Sequence, residues 1–332
     1  MQSSQRIKYK WMSISLGLSV VLMFLKFTAW WLTSSTAILT DALESIINVI
    51  ASGFALYSIY LSGLPRDRNH PYGHGKIEFF SSGFEGALIL SAGIFVIFQA
   101  IQSFIDPQPY THLGWGVLLI ALTTVANTLV GWLLIRNGRL TNSITLMADG
   151  RHLLTDSLSS LLVVAGIFVI MVTGLTWFDG VLSLILSGVI IWNGMGLVRQ
   201  SIAGLMDETD LVLLQRILNI LNQHKSNNWI DIHNLRVQRY GADLHIDCHL
   251  TLPYYWKLAQ VHQEVHEFEE ALKREISNEV EIFIHADPCL PECCHYCRID
   301  DCPVRAHPFT GDVEWTIANI STNQKHFVSI DS

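Results

Sequence analysis

Charged residues are scarce in this sequence. Asp, Glu, Lys and Arg make up only 15% of its 332 residues, while hydrophobic residues make up 50% and occur in long blocks. Ordinary soluble domains carry about 25% charged residues, so this composition excludes a wholly soluble protein. The last third differs, because Asp, Glu, His and Lys are frequent there. We therefore expect a membrane domain followed by a soluble domain.

Basic residues and cysteines are also restricted. Lys and Arg number 21 against 29 Asp and Glu, and the formal net charge of −8 gives no reason to expect nucleic-acid binding. Cysteine is absent before position 248, and all six cysteines lie in the polar last third. The basic start, residues 5–10, is not followed by a convincing small-residue cleavage site, so no cleavable signal peptide is predicted.

The apolar blocks have the length of membrane spans, roughly 20 residues. Six of them occupy residues 11–31, 37–61, 80–104, 114–135, 144–174 and 181–198. Basic residues flank one side of these blocks, namely Lys8, Lys10, Arg66, Arg68, Lys76, Arg136, Arg139 and Arg199. The opposite loops, at 33–35, 106–112 and 174–180, contain no Lys or Arg. Because positive charge collects on the cytoplasmic side, we expect both termini in the cytoplasm and the cysteines there to be reduced.

One polar pattern occurs twice inside the apolar blocks. The second block contains Asp41, Glu44 and Asn48, and the fifth contains Asp149, His152 and Asp156, with offsets of three and seven in both. These offsets lie on one face of a helix. Ionisable side chains at membrane depth are costly and normally face a bundle interior or a water-filled path. A single Asp or His near a span end is often merely interfacial, but the repetition favours one cation site formed by Glu44, Asn48, His152 and Asp156.

The chemistry of these four side chains restricts the cation. Carboxylates, an imidazole and an amide oxygen suit Zn²⁺, Fe²⁺, Mn²⁺ or Co²⁺, whereas the lack of thiolate and thioether disfavours Cu(I). A ligating imidazole must be neutral, so a metal ion and a proton would compete for His152. This competition offers a physical basis for proton-coupled antiport.

A second set of ligand-type residues lies between the second and third blocks. Asp67, His70 and His74 fall within eight residues of a glycine-containing loop. They predict a peripheral metal site or a metal-assisted brace of the loop. The alternative is a solvated polar loop that caps the third helix.

The pattern changes after residue 207. Helical periodicity at 211–221 and 258–276 and strand patterns at 232–239, 242–250 and 280–284 predict an αββαβ order, which is typical of a small α+β sandwich. Each histidine there, taken alone, is more often a plain polar side chain. Their number nevertheless suggests metal binding by a set comprising His233, His245, His249, His262, His266, His285 and Asp287.

Five cysteines follow the last strand. Their spacing is Cys289-x₃-Cys293-Cys294-x₂-Cys297-x₄-Cys302, and close thiolates of this kind bind Zn²⁺. The alternative is a reduced, flexible tail with scavenging thiols, and the polar remainder of the tail is expected to be mobile. No thioredoxin-like βαβ context surrounds the cysteines, which argues against a redox enzyme.

Three motifs resemble those of the cation diffusion facilitator family. They are Asp149-x₂-His152-x₃-Asp156, His70-Pro-Tyr-Gly-His74-Gly-Lys76 and Ile284-His285-Ala-Asp287-Pro-Cys289. The resemblance covers residues 13–289. It implies a membrane α-helical bundle of six transmembrane helices with a C-terminal α+β ferredoxin-like cytoplasmic domain. It also implies a homodimeric metal/proton antiporter, which is not an enzyme and needs no organic cofactor.

The resemblance assigns roles to particular residues. The transport metal site falls on Glu44, Asn48, His152 and Asp156, and the loop metal site falls on Asp67, His70 and His74. Regulatory metal ligands fall on His233, His249, His262, His285 and Asp287. Lys76 and Asp207 match a charge pair that helps lock the dimer. The pair Glu44 and Asn48 departs from the usual Asp or His followed by Asp, so Fe²⁺, Mn²⁺, Co²⁺ and Ni²⁺ stay open beside Zn²⁺.

We therefore expect three parts in this chain. They are a transmembrane cation-efflux domain at 1–206, a cytoplasmic dimerisation and metal-sensing domain at 207–288, and a Cys-rich tail at 289–332. The expected function is export of a divalent metal ion, with Zn²⁺ favoured, across the inner membrane by alternating access in exchange for protons. The same metal is expected to act as regulator. The alternative is a membrane-anchored metal sensor or chaperone that does not transport.

Overall fold

The chain folds into two compact units. The structure is a computed structural model that describes residues 3–33, 36–105, 113–173, 177–241, 243–276 and 280–326. The units comprise Met1–Met206 and Asp207–Ser332. Each has its own buried apolar core.

Six long helices build the first unit. They are α1 (Ser3–Thr33), α2 (Thr36–Ser62), α3 (Ile77–Ile105), α4 (Leu113–Leu140), α5 (Ile144–Thr173) and α6 (Trp177–Leu205). Helices of 27 to 31 residues are roughly 40–46 Å long at 1.5 Å per residue, which exceeds the ~30 Å hydrocarbon core of a bilayer. By length and hydropathy alone, two helices within the described ranges qualify as spans, Ser4–Thr28 and Ile77–Gln102.

The surface of this unit is apolar and its interior is partly polar. Large apolar side chains point outward, among them Phe24, Phe98, Leu122, Leu161 and Trp192. Small hydroxyl side chains are buried between the helices, among them Ser15, Ser19, Ser52, Ser82 and Ser201. Helices in lipid pack through small and polar residues, because the lipid-facing surface gains nothing from burial. The first unit therefore has the inside-to-outside pattern of a membrane bundle.

Two glycines allow α4 and α5 to pack closely. A Cβ atom on Gly131 would lie 2.9 Å from the carbonyl oxygen of Gly150, and a Cβ atom on Gly150 would lie 2.8 Å from that of Gly131. A larger residue at either position would push the helices apart. Gly150 precedes His152 by two residues, so this contact helps to set the position of the α5 segment that carries the candidate ligands.

The second unit is an α+β domain. Its elements are α7 (Leu211–Gln223), β1 (Asp231–Tyr240), β2 (Asp243–Leu252), α8 (Leu258–Glu275) and β3 (Val280–Pro288), followed by a short 3-10 helix (Pro291–His295) and α9 (Ile317–Ile320). The sheet order is β1-β2-β3. β1 and β2 are antiparallel, whereas β2 and β3 are parallel and are connected by α8. The αββαβ order predicted from periodicity is confirmed.

The core of this domain joins both helices to the sheet. Ile217 and Leu221 of α7, Phe268 and Leu272 of α8, and Ile246 of β2 are all buried in one cluster. α7 begins at a defined point, because the side chain of its N-cap residue Asp210 accepts hydrogen bonds from the next turn. Such a cap satisfies amide groups that the helix leaves unpaired.

The tail was predicted to be mobile, but its described residues pack on the second unit. Trp315 and Ile320 are 2% and 0% exposed and belong to the same core as the sheet. The amide of Asn234 on β1 donates to the carbonyl oxygen of Thr322 at 2.7 Å. The expectation failed because the polar tail contains a few apolar residues that pack on the domain. The described tail residues, 289–326, are thus part of the folded second unit.

Candidate metal sites

Three of the four predicted transport-site residues lie together between α2 and α5. The amide Nδ2 of Asn48 donates to Asp156 Oδ2 at 2.9 Å, and His152 Nε2 lies 2.8 Å from Asn48 Oδ1. His152 Nε2 is also 3.7 Å from Asp156 Oδ2. Asn48 and His152 are only 8% and 6% exposed. The side chain of Glu44, the fourth predicted ligand, lies outside the described residues.

The hydrogen bonds of Asn48 determine the donor role of His152 Nε2. An ionised carboxylate only accepts, so the amide nitrogen of Asn48 faces Asp156 and its oxygen faces His152. The amide oxygen also only accepts, so Nε2 of His152 carries a proton and donates it to Asn48. A metal ion binds Nε2 only when this nitrogen is free of its proton, which moves to Nδ1 in a neutral ring and leaves the side chain in an imidazolium.

Asp149, one helical turn before His152, faces α1 and α2. It is fully buried and accepts hydrogen bonds from the hydroxyl groups of Ser15 and of Ser52, the latter at 3.0 Å. Sequence reasoning missed the two serines. The spacing of four residues between Asn48 and Ser52, which puts both on one face of α2, was the available signal.

Two further buried acids of α3 were also missed. Glu85 is 2% exposed, and neither of its carboxylate oxygens has a hydrogen-bond partner among the described residues. Glu78 is 1% exposed and forms a 2.8 Å ion pair with Lys8 of α1. Ser143 donates to the other oxygen of Glu78 at 2.6 Å. The available signal was an acidic residue within the third apolar block for Glu85, and an acidic residue just before that block for Glu78.

The loop residues Asp67, His70 and His74 also lie together. Their ligand atoms are all within 4.8 Å of one another. Asp67 Oδ1 is 3.1 Å from His70 Nδ1, and Asp67 Oδ2 is 3.5 Å from His74 Nε2. The pKa of Asp67 is lowered, chiefly because the backbone N–H of His70 donates to its carboxylate. Gly73 adopts a φ of 90°, a left-handed conformation that lets the chain turn back toward Asp67.

A third group lies on the sheet of the second unit. His233 on β1 pairs with His249 on β2, which pairs with His285 on β3. Asp287 Oδ2 is 3.3 Å from His233 Nε2 and 3.2 Å from His249 Nδ1, and the ligand atoms of these three residues lie within 4.8 Å of one another. His285 Nε2 is 3.4 Å from the other oxygen of Asp287. The strand register therefore places His233, His249 and His285 side by side, although they are far apart in sequence.

The structure does not bring every predicted residue into these groups. His262 is exposed on α8 and belongs to neither three-ligand group of the described residues. Lys76 belongs to the first unit and Asp207 to the second. The assignments of His262 as a metal ligand and of Lys76 and Asp207 as a dimer charge pair stay predictions.

The tail places two residues beside the sheet group that sequence reasoning missed. Lys325 Nζ is 3.9 Å from Asp287 Oδ2 and donates to the carbonyl oxygen of Pro288 at 2.7 Å. His326 Nδ1 is 2.5 Å from the buried Asp231. Burial opposes the ionised form of Asp231, but hydrogen bonds from His233 and His326 outweigh it and lower the pKa of Asp231. Burial likewise opposes the charge of His326, and the bond to Asp231 outweighs it and raises the pKa of His326.

All six cysteines are free thiols, and five of them border one cavity. The exception, Cys248, is buried in the sheet core, where burial, aided by the charge of Asp247, raises the pKa of its thiol to about 12. The other five line a cavity of about 80 Å³, and they are the predicted tail ligands Cys289, Cys293, Cys294, Cys297 and Cys302.

Comparison with known proteins agrees with this architecture. Residues 12–206 match the cation efflux transmembrane domain, and residues 210–289 match the cytoplasmic domain of cation efflux proteins. An uncharacterized transporter of Synechocystis sp., sll1263, is 33% identical over 276 residues, which are 83% of this chain and 88% of that protein. The cation-efflux pumps FieF of Salmonella arizonae and Escherichia coli are 27% and 26% identical over 286 residues, 82% of this chain and 90% of theirs.

A six-helix membrane bundle followed by a ferredoxin-like cytoplasmic domain defines a class of metal-cation transporters. Within that class, this chain belongs to the cation diffusion facilitator, or cation efflux, family. It is an integral membrane transporter and not an enzyme, and the family exports metal cations. The predicted family and fold class are thereby confirmed.

Proposed function

We propose that this protein is a divalent transition-metal/proton antiporter that exports metal, with Zn²⁺ as the favoured substrate. The observation that carries the proposal is the buried cluster of Asn48, His152 and Asp156 between α2 and α5. An imidazole, a carboxylate and an amide oxygen are a mixed nitrogen and oxygen ligand set, which Zn²⁺ and its neighbours in the first transition row accept. Glu44 supplies the second carboxylate of the proposed site.

The proposed cycle follows from the hydrogen bonds of the ion-free cluster. In this cycle His152 is an imidazolium before the metal ion binds. The metal ion enters from the cytoplasm, withdraws Asp156 from Asn48 and takes Nε2 of His152, and the Nε2 proton leaves for the cytoplasm while Nδ1 keeps its own. A rocking movement of the helix bundle then exposes the ion to the outside, where protonation of His152 releases it. Both termini lie in the cytoplasm in this proposal, and the protein resides in the inner membrane.

The cytoplasmic domain is proposed to sense the same metal. His233, His249 and Asp287 would hold the ion, with His285 and His262 as further ligands. Metal there would stabilise a homodimer that includes the Lys76 and Asp207 charge pair and would favour the transport-competent state. The loop site of Asp67, His70 and His74 would bind metal peripherally.

The test is metal transport and proton flux by purified protein in proteoliposomes, measured across Zn²⁺, Fe²⁺, Mn²⁺, Co²⁺ and Ni²⁺. Asp156→Ala is expected to abolish both fluxes while the protein still folds, and Glu267→Ala, at an exposed acid of α8, is expected to leave them intact. Undiminished flux in Asp156→Ala would refute the transport site.

A sensor that does not transport is the second candidate. The amide of Asn48, in place of a carboxylate, and the thiol-lined cavity of the tail favour it. Such a protein would bind metal in its cytoplasmic domain and show no uptake into vesicles with any ion of the panel. An ionisable cluster at membrane depth is costly and has no use in a sensor, which favours the antiporter.

A further inference from the structure

The cavity bordered by the five tail cysteines has an unusual lining. Its other lining residues are apolar or aromatic except for Arg305, and neither a carboxylate nor an imidazole is among them. Thiols are therefore the dominant metal-binding groups at this place. The three other candidate sites, in contrast, consist of nitrogen and oxygen ligands.

The backbone holds these cysteines in defined positions. Cys289 follows β3 directly, and its amide donates to the carbonyl oxygen of Leu252 at 2.9 Å. The 3-10 helix Pro291–His295 carries Cys293, which is 1% exposed, and Cys297 just beyond it is 6% exposed. These two thiols pack in a small cluster with Ile230 and Tyr296. A scavenging tail would leave its thiols in solvent, whereas this segment buries Cys293 and Cys297 and partly buries the other three.

Arg305 closes the cysteine-bearing loop. Its guanidinium group donates to the carbonyl oxygens of Cys294, Cys297 and Ile299 at 3.1, 3.1 and 2.6 Å. The Arg305 side chain thus connects three backbone positions of the loop by hydrogen bonds. It also places a positive charge beside the thiols. Burial raises the pKa of the Cys297 thiol and outweighs the charge of Arg305, which favours the thiolate.

Backbone amides point at two of the sulfurs. The amide of Leu290 donates to Cys293 Sγ at 3.4 Å, and the amide of Ala306 donates to Cys294 Sγ at 3.4 Å. Hydrogen bonds of this kind orient metal ligands and stabilise their charge. The bond from Ala306 ties Cys294 to the far end of the loop.

We propose that Cys289, Cys293, Cys297 and Cys302 bind one thiophilic dication, such as Zn²⁺, as a tetrahedral four-thiolate site. Four thiolates are a common complete ligand set for a structural zinc ion. Among the described residues, no three of these sulfurs lie within 4.8 Å of one another. The proposed site therefore requires the sulfurs to move closer together when the ion binds. The site is independent of the proposed transport function.

The test uses Co²⁺ as a probe of the full-length protein in detergent, purified metal-free under reducing conditions. Thiolate ligands give Co²⁺ an intense sulfur-to-metal charge-transfer absorption that nitrogen and oxygen ligands do not give. We expect this absorption to saturate at one equivalent of thiolate-bound Co²⁺ per chain and to disappear when Zn²⁺ is added.

Matched variants identify the ligands. Cys297→Ser and Cys302→Ser are each expected to weaken the absorption strongly. Because Cys297 is buried, its variant could lose the absorption by misfolding, and the same result in the less buried Cys302→Ser variant excludes that explanation. Cys294→Ser and Cys248→Ala are expected to retain it. The proposal is overturned if the reduced wild type shows no charge-transfer absorption, or if Cys297→Ser and Cys302→Ser both keep it. An iron–sulfur chromophore bound by these cysteines would also contradict a mononuclear site.

Discussion

The amide oxygen of Asn48 on α2 accepts a hydrogen bond of 2.8 Å from Nε2 of His152 on α5. The amide nitrogen of the same side chain donates to Asp156. Asn48 thus bridges an imidazole and a carboxylate and keeps both within reach of one ion. An ionised carboxylate at this position could not donate to Asp156, so the bridge depends on the amide of Asn48.

Removing this bridge should weaken metal binding at the proposed transport site. Asn48→Ala removes the proposed amide ligand and also deprives His152 of an acceptor and Asp156 of a donor. Loss of the orienting contacts alone typically costs about 10–100-fold in metal affinity. We expect the metal concentration for half-maximal transport to rise by at least about tenfold. Asn127→Ala, at a buried asparagine of α4, is the matched control. Equal effects of both variants would mean that Asn48 acts only through packing.

The buried ion pair of Lys8 and Glu78 should be important for the stability of the bundle. Lys8→Ala leaves the carboxylate of Glu78 buried with hydroxyl partners alone, and breaking a buried pair in this way typically costs about 3–5 kcal/mol. The midpoint of thermal unfolding in detergent should fall markedly. Lys10→Ala, at an exposed lysine two residues later, should unfold like the wild type. A Lys8→Ala protein of unchanged stability would show that the pair contributes little.

Lys325 should compete with metal at the cytoplasmic histidine group. Its ammonium lies 3.9 Å from the oxygen of Asp287 that faces His233 and His249. Partly exposed ion pairs are worth about 0.2–1 kcal/mol, so Lys325→Ala should tighten Zn²⁺ binding there by up to about fivefold. Titration calorimetry in an Asp156→Ala background measures this change.

Lys273→Ala serves as the control, because Lys273 pairs with Glu269 on the surface of α8. It should leave Zn²⁺ affinity unaltered. Weaker binding in Lys325→Ala would show that the lysine supports the metal site instead of competing with it.

The attachment of the tail should depend on pH through His326 and Asp231. The pKa of His326 is raised above 6.5, so its contribution is fully present below pH 6.5 and is lost as pH rises through the raised value. The pKa of Asp231 is lowered below 3.8, so its contribution is present above that pH and is lost as pH falls further. The pair is therefore strongest between about pH 4 and 6.5.

Limited proteolysis of the tail at a series of pH values tests this dependence. Protection should decline as pH rises above 6.5, and His326→Ala should abolish that decline. His262→Ala, at an exposed histidine of α8, should retain it. A decline that persists in His326→Ala would assign the pH dependence to another group.

Local periodicity accounts for what could be predicted. An offset of four residues joins Glu44 to Asn48 in α2 and His152 to Asp156 in α5. Residues at this offset share one helix face, because side-chain direction in a helix depends only on its own backbone. Alternation in the strands likewise identified β1, β2 and β3, and the fold class followed from the order of elements. The family motifs lie within such local stretches, which is why they are visible in one sequence.

The sequence by itself thus determined the membrane bundle, the α+β domain and the kinds of ligand in each candidate group. Only the tertiary structure decided which side chains meet across elements. The serines around Asp149, the Lys8 and Glu78 pair, the contacts of Lys325 and His326 with the sheet, and the common cavity of the five cysteines all join residues from different elements or distant turns. Such meetings depend on how helices, strands and loops pack, and no local period in the chain encodes that packing.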